Sequence, residues 1–140
     1  MLAWDEKLSV GNATIDSEHK NLIVLVNNLS SIIKEKDCAL LLQAFEQLEH
    51  SLCEHFDNEE LIAKAVSFDF TKNKLEHEKV LKELRKMRDE IVALNGVWSN
   101  RTAKQYSEFL SDWITGHVLE EDMLMKPVLQ TYNYNFLPNH

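Results

Sequence analysis

Four stretches of this chain repeat apolar residues at alternating steps of three and four, and each stretch breaks the pattern with a polar side chain. In the second stretch Leu41, Phe45, Leu48, Leu52 and Ile62 keep the spacing, and His55 and Glu59 occupy positions where the pattern calls for apolar residues. In the third, Phe70, Val80, Leu84, Met87, Ile91 and Leu94 keep it, and Asn73 and His77 interrupt it. The first runs His19, Leu22, Ile23, Val26, Leu29, Ile33, and the fourth runs Tyr106, Leu110, Trp113, His117. Steps of three and four place residues on one face of an α-helix, so the chain is expected to form four amphipathic helices. Only three glycines and two prolines occur in 140 residues, which suits long helices. Short linkers make neighbours antiparallel, giving an all-α, up-down four-helix bundle.

The expected organisation is one domain over 1–140: an arm over 1–15, the bundle over about 16–130 and a tail over about 131–140. Asp16 or Ser17 is the expected cap of the first helix. Asn95-Gly96 supplies a left-handed stop for the third. Pro127 predicts a kink or end just before it.

The polar interruptions carry the chemistry. A buried imidazole or carboxylate is unfavourable unless paired or bound to a metal. One such residue alone is more often structural, but inward His or His/carboxylate elements on four helices converge on a metal-site pattern. The candidate ligands are His19, His55, Glu59, His77, His117 and Asp122. Asp122 needs a special local geometry: five residues after His117 is about 140° of rotation on a regular helix. A π-bulge between the two would bring it round; otherwise it is a solvated helix-end carboxylate. His50 lies about 180° from Glu59 and should face solvent, as should Glu54, Asp57, Glu60, Glu120 and Glu121. His140 is terminal, and Cys53 reads as a small buried or half-buried thiol.

A formal charge of −8 argues against nucleic acid and anionic membranes as partners. Cys38 and Cys53 form no CxxC, and the start MLAWDEKLSV lacks the basic and apolar regions of an export signal. A cytoplasmic location is the expectation, and a monomer is the working expectation for assembly.

His19 within IDSEHKNL, His55 and Glu59 within HFDNEE, His77 within EHEKVL, and His117 with Asp122 within WITGHVLEED resemble the hemerythrins, in particular the bacterial single-domain type. Trp4, Val10-Gly11, Ile15-Asp16 and Trp113 match the same pattern, so the resemblance spans nearly the whole chain. It implies a non-haem di-iron centre (Fe2+/Fe3+) with an oxo or hydroxo bridge. One iron would take His19 and His55 and keep an open position for O2. The other would take His77, His117 and one further histidine, with Glu59 and Asp122 bridging. The implied ligand is O2, for storage, delivery or scavenging. The alternative is a redox enzyme or sensor handling peroxide, NO or O2.

This chain departs from the pattern at Asn73, where the resemblance calls for a histidine. The amide oxygen could bind iron weakly, the amide could hold a water, or that iron could be lost. Met125 stands where similar chains often carry an aromatic residue, and is read as pocket lining.

Overall fold

The computed structural model describes residues 2–138, so His140 lies outside the described residues. Four long helices dominate: α1 (Ala13–Glu35), α2 (Cys38–Ala65), α3 (Thr71–Ala93) and α4 (Asn100–Ile114). No strand occurs among the described residues. α4 runs on through a π-helical turn at Thr115–Leu119, a helical turn at Glu120–Asp122, a 3-10 turn at Met123–Met125 and a last helical turn at Lys126–Leu129 that carries Pro127 in its first turn. The break falls just before Pro127, as its ring requires.

Each junction has a local cause. Lys36, between α1 and α2, sits at φ +56°, and Asp37 accepts the N–H groups of Ala39 and Leu40 to cap α2. Asn95 (φ +50°) and Gly96 (φ +81°) turn the chain after α3. Ser99 caps α4 by accepting the Thr102 N–H. α1 packs on α2 and α4, α2 on α3, and α3 on the π turn after α4. The chain is an antiparallel four-helix bundle. Early residues of α1 and α3 therefore meet late residues of α2 and the fourth helical stretch at one end.

The first helix begins earlier than the sequence reading places it. Asn12, not Asp16 or Ser17, is its cap, accepting the Ile15 N–H at 3.1 Å. Asp16 is unavailable because it fastens the arm and tail. Its carboxylate accepts from the Ser9 hydroxyl, the Val10 N–H at 2.9 Å and the Tyr134 hydroxyl at 2.8 Å. Accepting from Tyr134 raises that phenol to about 12, with partial burial adding to the effect. Ala13 donates to the Tyr134 carbonyl, and Asn12 donates to that of Phe136.

Two apolar clusters fill the bundle. The larger contains Leu22, Val26, Phe45, Leu48, Leu52, Phe56, Val80, Leu84 and Val118. The smaller contains Val10, Ile15, Ile62, Ala63, Met125 and Leu129. α1, α2 and the fourth helical stretch each cross from one cluster to the other through polar residues: His19 between Ile15 and Leu22, His55 and Glu59 between Leu52 and Ile62, and Asp122 between Val118 and Met125. The interior is thus apolar, then polar, then apolar along the bundle axis. Met125 is fully buried in the smaller cluster, which places it under the polar layer. Leu94, read as the end of the third seam, is 38% exposed because α3 stops at Ala93.

Candidate metal centre

The polar layer is buried: His19, His55, Glu59, Asn73, His77 and Asp122 are each at most 4% exposed. The π turn brings in Asp122. Its extra residue per turn shifts the following helix by one position, so Asp122 faces the interior. The same turn contains His117 and sends it elsewhere. That side chain is 42% exposed, and its Nδ1 lies 2.8 Å from Glu76 Oε1 on α3.

Among the described residues, one group of ligand-type side chains could hold an ion: His19, His55, Glu59 and Asp122, with ligand atoms all within 4.8 Å of one another. Asp122 Oδ2 lies 2.6 Å from His19 Nε2 and 2.9 Å from His55 Nε2, and those two nitrogens are 3.2 Å apart. Two ring nitrogens facing one oxygen and each other make a crowded hydrogen-bond arrangement, since two N–H groups so placed repel. The same convergence is what a shared cation requires. His55 Nε2 is also 2.9 Å from Glu59 Oε2, but its one proton cannot serve both acceptors, and the hydrogen bond goes to Asp122. Both Glu59 oxygens, Asp122 Oδ1 and His77 Nε2 are therefore buried without a hydrogen-bond partner. Such orphans are rare in folded proteins. Two carboxylates with free oxygens and imidazoles around them form an N/O donor set that fits iron.

His77 stands at the edge of this group, its Nε2 at 3.6 Å from Glu59 Oε1 and 3.9 Å from Asp122 Oδ1. Phe56 stacks on its ring with centroids 3.7 Å apart, and Phe70 meets it edge-on at 5.2 Å. Asn73 is buried with its Nδ2 unpartnered.

The imidazoles and carboxylates of the layer shift one another's proton affinities. Burial, and then the charge of Asp122, pushes the Glu59 carboxyl up to about 7. For Asp122 burial acts upward, but hydrogen bonds from His19 and His55, with the ring of His77 nearby, outweigh it and hold the carboxyl well below its usual range. Burial opposes the charged ring of His77, yet Asp122 and Glu59 hold it up at about 9. His55 is raised in the same way, against burial, by Asp122, Glu18 and Glu59. Protonated His55 and His77 thus offset an ionised Asp122, and a metal bound by these rings must displace their protons.

Two partners were not foreseen. Glu18 Oε1 lies 3.0 Å from His55 Nδ1, and Asn58 Nδ2 donates to Glu18 Oε2 at 2.6 Å. Glu76 meets His117 Nδ1 in the same manner. The signal was present: each glutamate directly precedes an inward histidine, in Glu18-His19 and Glu76-His77. Glu18 fixes the orientation of the His55 ring, whose other nitrogen faces the centre, whereas the ring that Glu76 holds is partly exposed.

A crevice of about 150 Å³ between α2 and α3 runs from the surface to His77, past Cys53, Phe56 and Phe70. Burial, and then Glu49, raises the Cys53 thiol, so it lacks the thiolate character of a reactive cysteine. A larger cavity of about 600 Å³ lies around Asn27, Ser30 and Ser107, between α1 and α4 and away from the cluster. His50 faces solvent beside Glu54. No helix among the described residues is long and apolar enough to cross a membrane.

A four-helix bundle with a buried His/Glu/Asp layer defines a class, the helical metal-site proteins. Comparison narrows it: the model of the hemerythrin HHE cation binding domain matches residues 10–129. The chain belongs to the hemerythrin family. It is 25% identical over 122 residues to a bacteriohemerythrin of Pseudomonas aeruginosa, covering 86% of this chain and 76% of that protein. A hemerythrin-like protein of Naegleria gruberi is 28% identical over 127 residues, covering 90% and 92%. A bacteriohemerythrin of Stenotrophomonas maltophilia is 21% identical over 141 residues, covering 100% and 89%. Family membership and the buried cluster together point to an iron-binding protein.

Proposed function

We propose that this chain is a non-haem iron protein that binds O2, for storage, delivery or scavenging, at the polar layer of the bundle. His19, His55, Glu59 and Asp122 hold the first ion. His77 and His117 are the histidines left for a second, which in the full family complement would share an oxo or hydroxo bridge with it. The observation that carries this reading is the convergence of His19, His55, Glu59 and Asp122 on one buried point, with both Glu59 oxygens unpartnered. Iron held there supplies an exchangeable position and electrons for a small oxidant.

The protein's own residues set the conditions. Glu18 fixes the His55 ring. The apolar clusters on either side exclude bulk water from the layer, which strengthens every charge interaction inside it. The crevice between α2 and α3 reaches the edge of the layer at His77.

A second reading, redox handling or sensing of peroxide, NO or O2, draws support from Asn73, which replaces a strong neutral ligand with a weak one. One experiment separates the two. The iron-loaded protein is reduced without oxygen, exposed to O2, and followed through its near-ultraviolet and visible bands. Reversible O2 binding predicts a long-lived spectrum that disappears on deoxygenation. Rapid, irreversible conversion to the oxidised spectrum supports the second reading. Unchanged spectra would contradict both.

A further inference from the structure

The two halves of the ligand set are unequally built. His19, His55, Glu59 and Asp122 bring four ligand atoms together within 4.8 Å. The other half consists of His77, Asn73 and His117. His77 stands outside that group, 3.6 Å from the nearest Glu59 oxygen. His117 is turned to Glu76 and is 42% exposed. Asn73 is buried one turn before His77, and its amide nitrogen has no partner. A neutral amide offers a divalent ion one weak oxygen donor, and its nitrogen donates protons and has no lone pair to share.

We infer that this protein holds a single iron, framed by His19, His55, Glu59 and Asp122, and that Asn73 is the residue that disables the second position. The inference rests on the iron reading above. His77 then stands at the edge of the space next to the ion, and one turn before it on α3 the unpartnered amide N–H of Asn73 is a ready donor to a water or a small anionic ligand. A lone ferrous ion has one electron to give, so a single-iron site cannot by itself reduce a bound small oxidant by two electrons.

The test uses the full chain, stripped with chelator, reloaded with excess Fe2+ under nitrogen and freed of unbound metal by gel filtration. Iron per chain is measured, and the oxidised sample is examined by electron paramagnetic resonance. The wild type should retain one iron and show the strong signal of an isolated high-spin ferric ion. Asn73→His should retain two, with most of the signal lost to coupling between them. Asn73→Asp, nearly the same size and shape, should move in the same direction. Two irons and a silent spectrum in the wild type would overturn the inference. One iron in both variants, each with native helical circular dichroism, would overturn the assignment to Asn73. No iron in any of the three would instead remove the iron reading itself.

Discussion

Replacing Glu59 with Gln is expected to weaken iron binding by more than about 100-fold and to leave the metal-free protein as stable as the wild type, or more so. Both effects follow from one observation. Glu59 is fully buried and neither oxygen has a hydrogen-bond partner, although His55 Nε2 is 2.9 Å away. Its carboxyl is raised from 4.5 to about 7, so the folded state holds the proton more tightly than the unfolded state does. The sign follows directly. The group's stabilising contribution is complete below about 4.5 and is lost as pH rises through about 7. At pH 8 the ionised side chain is a net burden, of order 3 kcal/mol. Gln imitates the protonated form and removes that burden. It also removes an anionic ligand, and even an outer partner of a metal ligand is worth roughly 10–100-fold in affinity. Urea unfolding of chelator-treated protein at pH 8, beside anaerobic Fe2+ titration, checks both halves. A Glu59→Gln protein that is clearly less stable without metal and binds iron as well as wild type would contradict the assignment.

Phe45→Ala is expected to have the opposite profile. Phe45 is 1% exposed in the larger cluster, among the biggest fully buried side chains. Truncating such a ring loses its transfer free energy and leaves a cavity the neighbours fill only in part, for about 3–5 kcal/mol. In a domain of this size that lowers the melting temperature by roughly 10 °C. Ten residues of α2 separate Phe45 from His55, about 15 Å along the helix axis. Iron stoichiometry of the folded variant should therefore match wild type. Calorimetry and metal analysis on the same sample test it, and a folded Phe45→Ala protein that fails to retain iron would show that the polar layer and the distal core are not separable.

Much of this was legible because helical periodicity is a strong signal. The seams through Leu41 to Ile62 and through Asn73 to Ile91 are buried as the spacing predicts. The five-residue gap before Asp122 announced the π turn, since a regular helix could not bring that residue inward. Three features escaped for identifiable reasons. Asp16 has the chemistry of a cap, but its partners Ser9 and Tyr134 come from the arm and from a tail 118 residues away, and local spacing does not report them. His117 fits the seam on a regular helix, but the wider turn that aims Asp122 inward carries His117 within it and leaves its ring toward Glu76. Glu18 and Glu76 drew no reading from the sequence because their partners lie on neighbouring helices.

The claim beneath all of these is that the buried polar layer exists to hold iron. Its most direct test is thermal unfolding of chelator-treated protein with and without Fe2+ under nitrogen. An ion that binds only the folded chain stabilises it by about 2.7 kcal/mol when free metal exceeds Kd 100-fold. That corresponds to a rise of roughly 5–10 °C in Tm, and the gain should be absent in Glu59→Gln. An unchanged Tm in saturating Fe2+, with no iron retained after gel filtration, would contradict it.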